Sequence, residues 1–214
     1  MKRLLALCIA LVLLMSLNSC GTQRVEKDSV VPAAIFQREN ILYVLDNGVI
    51  SAYDLVSGEK NTVLEGVNAG SVIVNGGEIY LTDWETEELL RFDLRSRKLE
   101  TLYASKRIIN GSVMSLYGES LIFEERGAEC TYLMCLDLKS GTVSIVSENT
   151  NIFARRGLAV ASNKIYYSAI GQWKAGYMNL DGSGKTELDY EAVYILSSLK
   201  DKAYMTAQVD GGGG

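Results

Sequence analysis

The chain has 214 residues, 48% hydrophobic and 22% charged, which excludes a disordered polypeptide and leaves room for one or two domains. Its 21 Lys and Arg against 26 Asp and Glu give a net charge of −5, so the basic surface that phosphate binding needs is missing and no nucleic-acid partner is expected. No His is present, which removes Ser-His and Cys-His nucleophile pairs and the imidazole ligands of most catalytic zinc sites.

The first element in chain order is a targeting segment. Lys2 and Arg3 precede fourteen uncharged residues, 4–17, too short a run to span a bilayer comfortably and suited to the apolar stretch of a secretory signal. The run ends in Leu17-Asn18-Ser19-Cys20-Gly21, which resembles a bacterial lipobox. The resemblance implies cleavage after Ser19, a diacylglycerol on Cys20 and acylation of its new amino group. Several acyl chains, at ~0.8 kcal/mol per buried CH₂, hold a protein on a membrane where one chain would not. The expected organisation is a signal peptide over 1–19, a lipidated Cys and polar tether over 20–31, a folded domain over 32–210 and a glycine tail over 211–214.

The folded part is a repeat. Asp54-Leu55, Asp93-Leu94, Asp137-Leu138 and Asn179-Leu180 each close a short apolar or aromatic run and open a turn-like segment, at spacings of 39, 44 and 42 residues. A second marker runs upstream in step: Tyr43, Tyr80, Phe123, Tyr166 and Tyr204, at spacings of 37, 43, 43 and 38. Within the second unit, Ser71-Val72-Ile73-Val74 predicts a strand and Asn75-Gly76-Gly77 a tight turn, because Asn and Gly both accept positive φ. Strands over 78–83, 89–94 and 98–103 follow, with a loop from Trp84 to Glu87. Four short antiparallel strands at a period near 40 residues predict an all-β fold, a β-propeller. The expected blades are 32–66, 67–105, 106–147 and 148–190. A fifth begins at Val193-Tyr194-Ile195-Leu196, turns at 199–202 and has a second strand over 203–209, giving about four and a half blades.

Ile79-Tyr80-Leu81-Thr82-Asp83 with Phe92-Asp93-Leu94, and Ile165-Tyr166-Tyr167-Ser168 with Met178-Asn179-Leu180, resemble the Tyr-Trp-Thr-Asp repeat of low-density-lipoprotein-receptor propellers and of bacterial lipoprotein propellers related to them. Leu81 and Tyr167 stand where that repeat has Trp. Its Asp is matched at Asp46 and Asp83 and replaced by Arg126, Ala169 and Ala207. The resemblance implies a ring that usually closes with six blades. The expectation is therefore an open, self-associating ring whose natural chain continues past Gly214; a five-bladed ring closed by residues before Pro32 is the alternative.

Cys130 and Cys135, five residues apart, would be roughly 16 Å apart on one strand. A disulfide needs Cα atoms within about 7 Å, so they are expected as separate thiols. Without a further Cys or His they make a poor metal site, and no metal or cofactor is expected. Gly184-Lys185-Thr186 lacks the first Gly of a phosphate loop, Asn179 standing in its place.

Loops between second and third strands, with the connections between blades, emerge on one face. That face is expected to carry Trp84, Glu85, Glu87 and Glu88, then Glu124, Glu125, Arg126 and Glu129, then Trp173 and Lys174. Both tryptophans of the chain fall there, and Trp is enriched in recognition sites. The expected function is a membrane-anchored, extracytoplasmic binding or scaffold module for a protein, peptide or glycan, and not an enzyme. The alternatives are a carboxylate-dependent propeller enzyme acting on glycans or peptides, and an envelope assembly or sensory component similar to the propeller of the Tol system.

Overall fold

A computed structural model describes residues 35–148, 158–168, 174–199 and 202–207, which form seventeen strands and no helix. The signal segment, Cys20, the tether, Trp173 and the glycine tail lie outside the described residues. The first sheet is β1 (Ile35–Arg38), β2 (Ile41–Asp46), β3 (Val49–Asp54) and β4 (Lys60–Leu64). The second is β5 (Ala69–Asn75), β6 (Glu78–Asp83), β7 (Glu88–Asp93) and β8 (Leu99–Ala104). The third is β9 (Ile108–Tyr117), β10 (Ser120–Arg126), β11 (Thr131–Asp137) and β12 (Val143–Glu148). Each is an antiparallel meander with its strands in chain order.

The fourth sheet adds a device. It holds β13 (Leu158–Ala161), β14 (Lys164–Ser168), β15 (Lys174–Asn179), β16 (Thr186–Leu199) and β17 (Lys202–Ala207) in that order. The first part of β16 pairs with β15, from Thr186↔Tyr177 to Glu191↔Lys174. The second part pairs with β17, from Ala192↔Ala207 to Leu199↔Lys202. One strand thus closes the fourth blade and opens the fifth. Glu148 ends β12 and belongs to the third blade, not the fourth.

Turn chemistry explains the repeat. Asn47 (φ 49°) and Gly48 (φ 76°) join β2 to β3, and Ser162 (φ 49°) and Asn163 (φ 59°) join β13 to β14. Positive φ at both positions gives the turn twist that suits antiparallel strands. In the second sheet the turn is Gly76-Gly77 rather than Asn75-Gly76: Asn75 still pairs with Glu78, and only Gly76, at φ 60°, is positive.

The Asp-Leu marker serves the turn from third to fourth strand. Asp54 Oδ1 accepts the N–H groups of Val56 (2.7 Å) and Ser57 (2.9 Å), Asp93 Oδ1 that of Ser96 (2.5 Å), and Asp137 Oδ1 that of Ser140 (2.7 Å). The following Leu reaches back to the first hairpin: the N–H groups of Leu55, Leu94 and Leu138 donate to the carbonyls of Asn40, Gly77 and Glu119, each at 2.8 Å. Asp fixes one turn and Leu ties it to another, which is why the pair recurs.

The cores lie between blades. Tyr43, Ile50, Val63 and Leu64 of the first sheet pack with Val72, Ile79, Leu81, Leu90 and Phe92 of the second. Ile73, Tyr80 and Leu89 pack with Met114, Leu116, Leu121, Phe123 and Met134 of the third. Tyr117, Ile122, Leu133 and Val146 pack with Leu158, Val160, Ile165, Tyr167 and Met178 of the fourth. Strand alternation does this, since successive side chains point to opposite faces: Ile79 and Leu81 face the first blade, Tyr80 the third.

Register corrects the aromatic marker. Glu78 faces Asp93, and Ser120 faces Asp137, so Tyr80 corresponds to Ile122 and Leu81 to Phe123. Phe123 therefore takes the Trp position of the repeat and faces the second blade. By the same count the acid at Asp83 is matched by Glu125, not Arg126. Of the fourth blade's tyrosines, Tyr167 is buried and Tyr166 half-buried. Cys130 and Cys135 are separate, half-buried free thiols.

Candidate ligand-binding cleft

Trp84 follows β6 in the turn to β7 and is 60% exposed, whereas Asp83 before it is 5% exposed. That carboxylate organises the turn. Its Oδ1 accepts the N–H groups of Glu85 (2.9 Å) and Thr86 (3.3 Å), and its Oδ2 accepts that of Asn68 (3.3 Å) in the connection from the first blade. Trp84 N–H donates to the Asn68 carbonyl at 3.1 Å, and Asn68 Nδ2 donates to Glu85 Oε2. The turn and the connection are thus one hydrogen-bonded unit, with the indole projecting from it.

A cleft of about 520 Å³ opens beside this unit, lined by Leu45, Asn47, Gly48, Asn68, Ala69 and Trp84. Three pieces of chain meet there: the β2–β3 turn, the β4–β5 connection and the β6–β7 turn. Gly48 lets the first approach the second. A Cβ on Gly48 would lie 2.7 Å from the Val67 carbonyl oxygen, at a φ of +76° that disfavours any side chain.

Glu87, in the same turn, and Glu88, which begins β7, have partners of their own. Glu88 accepts the hydroxyls of Thr86 (3.1 Å) and Thr101 (3.4 Å), and the Glu87 carbonyl accepts Ser105 N–H at 3.0 Å.

The acidic run of the third blade is not a loop. Glu124 and Glu125 stand in β10, only 3% and 1% exposed, because β10 continues to Arg126 before the chain turns. Glu125 Oε1 accepts the Ser105 hydroxyl, and its Oε2 lies 3.3 Å from Arg107 Nη1. The Arg107 guanidinium in turn sits 4.0 Å over the Tyr132 ring. Burial, and then the hydrogen bond with Glu125, push the Tyr103 phenol above its ordinary value. Glu124 Oε1 lies 3.7 Å from Arg126 Nε. Glu125 thus holds the entry to the third blade, while Glu124 pairs within its own strand. Glu129 is exposed between β10 and β11, and Lys174 begins β15. Of the expected face, the structure brings Trp84 and Glu85 to the cleft region.

Sequence reasoning missed Leu45, Asn47, Gly48, Asn68 and Ala69. The usable signal was Asn47-Gly48, a turn pair at the second-to-third-strand position of its blade, the same loop class as Trp84. Asn68 carried no signal, since its role depends on a carboxylate fifteen residues later. Among the described residues no group of three His, Cys, Asp or Glu could hold a metal ion.

No family model and no curated protein matches the chain. Among solved structures, it is similar to a chain in a crystal structure of a nidogen/laminin complex, with a TM-score of 0.56 and 15% identity, over 77% of this chain and 65% of that one. It is also similar to an oligogalacturonate lyase in complex with manganese, with a TM-score of 0.52 and 14% identity, over 69% of this chain and 48% of the lyase. The chain therefore spans less than two thirds of the first and about half of the second. The likeness to these propellers, together with the four-stranded antiparallel sheets, makes the described chain a partial β-propeller.

Proposed function

We propose that this β-propeller is exported, anchored to a membrane through Cys20, and used on the extracytoplasmic side as a binding or scaffold module for a protein, peptide or glycan, with the Trp84 cleft as its recognition site. What supports the reading is Trp84. A large aromatic that is 60% exposed contributes little to its own fold, yet its turn is pinned by Asp83 and Asn68 and it walls a cleft of about 520 Å³. That volume lies within the range of about 300–1,000 Å³ for small-ligand sites. Rigid sheets carrying a preorganised loop fit a binding role, because little ordering entropy is lost on association.

Capture from intact envelopes tests the site. The full chain should retain a partner that a Trp84→Ala chain loses, while the substitution changes stability by no more than about 0.5 kcal/mol, as surface replacements do. Equal capture by both would sink the site. Mass spectrometry of the extracted chain tests the anchor: Cys20 should be acylated and residues 1–19 absent.

A further inference from the structure

We infer that the Trp84 cleft takes an uncharged carbohydrate, a short run of pyranose rings with one ring stacked on the indole. The inference rests on the binding role proposed above and adds the ligand class. The six lining residues, Leu45, Asn47, Gly48, Asn68, Ala69 and Trp84, carry no formal charge. A uronate or a phosphate would find no cation in the wall, and the carboxylate beside it, Glu85, is held by Asn68 Nδ2. The polar groups that are present are the carboxamides of Asn47 and Asn68. Each offers donors and an acceptor, as each sugar hydroxyl does, so the two can satisfy hydroxyls of either orientation. Asn68 is already aimed: its Nδ2 donates to Glu85 Oε2 and its carbonyl holds Trp84 N–H at 3.1 Å, which leaves the second amide proton and the carboxamide oxygen for a ligand.

The indole supplies the complementary half. The axial C–H face of a pyranose is apolar and flat, and a planar ring held on a fixed turn matches it at little entropic cost. Leu45 and Ala69 add apolar lining, so a ring has an apolar side and a hydroxyl-matching side within one cleft. An extended peptide fits less well. It gains affinity from a row of backbone partners along a sheet edge, and this wall is made from two turns, a connection and two strand ends.

The test uses the full chain in detergent and an array of uncharged pyranose oligosaccharides, with oligogalacturonate and hexalysine beside them. Binding is read by intrinsic fluorescence and by retention on immobilised sugar. At least one uncharged oligosaccharide should bind, Trp84→Ala should weaken it about tenfold or more, and Trp84→Phe should keep part of the affinity. Asn47→Gly, which removes the carboxamide and keeps the positive φ of 49° that the turn requires, should weaken it by a smaller factor. No binding across the uncharged set, binding untouched by Trp84→Ala, or stronger binding of oligogalacturonate or hexalysine would overturn the inference. Trp84-dependent capture of a polypeptide from envelopes would overturn the carbohydrate assignment while leaving the binding role intact. The two claims therefore fail separately.

Discussion

Glu125 takes in the third blade the place that Asp83 takes in the second. Each is the sixth residue of its blade's second strand, each is at most 5% exposed, and each accepts hydrogen bonds from the chain entering its own blade. The extra methylene changes the partner. The shorter Asp83 reaches a backbone N–H of Asn68, whereas Glu125 reaches the Ser105 hydroxyl and the Arg107 guanidinium. Glu125, an acid that reads from sequence as a recognition residue, is thereby a fastening, as Asp83 is, and Trp84 beside Asp83 is left exposed.

Glu125→Ala removes an acceptor that the Tyr103 phenol, the Ser105 hydroxyl and the Arg107 guanidinium face. Stability should fall by about 1–3 kcal/mol, the usual cost of orphaning buried hydrogen-bond partners. Glu125→Gln keeps one acceptor and should cost less. Urea denaturation followed by circular dichroism measures both; a midpoint equal to that of the parent protein for the Ala form would contradict the role.

Gly182 stands where the β15–β16 turn touches the outer strand of the third blade. A Cβ there would fall 1.8 Å from the Val146 carbonyl oxygen, at a φ of +82°. Gly58 has a similar φ of +76° but nothing within 4 Å. Gly58→Ala should therefore cost only the conformational strain, about 1 kcal/mol, and Gly182→Ala clearly more, because backbone must move. Equal melting temperatures for the two variants would refute the contact.

Phe123 is fully buried among Ile73, Tyr80 and Leu89 of the neighbouring blade, with the Tyr103 ring 5.6 Å away. Phe123→Ala should cost about 3–5 kcal/mol. Because the cavity opens between sheets, hydrogen exchange should speed up in β5 and β6 as well as in β10. Loss of protection confined to the third blade would show that the cores are not shared.

Acid should loosen the turns. The backbone N–H of Ser57 first of all, then that of Val56, holds the Asp54 carboxyl below its ordinary value, and Ser96 and Ser140 do the same for Asp93 and Asp137. At Asp181 the Ser183 hydroxyl leads. Folding favours the ionised form of each, so their stabilisation is complete above the unfolded value of 3.8 and is lost as pH falls through the lower folded values. The urea midpoint should drop from pH 5 to pH 2.5. A chain carrying Asp54→Asn, Asp93→Asn and Asp137→Asn should drop less; an unchanged slope would count against the turns.

Blade number and strand order were legible because turns and alternation are local. Asp54, Asp93 and Asp137 declare a turn within three residues of themselves, and Ile79-Tyr80-Leu81 declares two faces at once. Register across a blade was less legible. Phe123 is the nearest aromatic to the expected spacing, yet its partner Met134 and the pairing of Ser120 with Asp137 put it one position on. That single step also moved the acid from Arg126 to Glu125. The cleft was legible at Trp84 and, as a turn pair of the same loop class, at Asn47-Gly48. Asn68 and Gly48 matter through what they approach from other blades, and a linear pattern does not report such distances.

The unit that is copied along this chain is not the unit that coheres. Among the described residues, four sheets enclose three apolar clusters, each contributed partly by one repeat and partly by the next. A single repeat produced by itself would own a hydrogen-bonded ladder and no interior, while two in tandem would own one. Growth of such a chain by gene duplication would therefore return nothing at the first copy and a whole new interior with every copy after it.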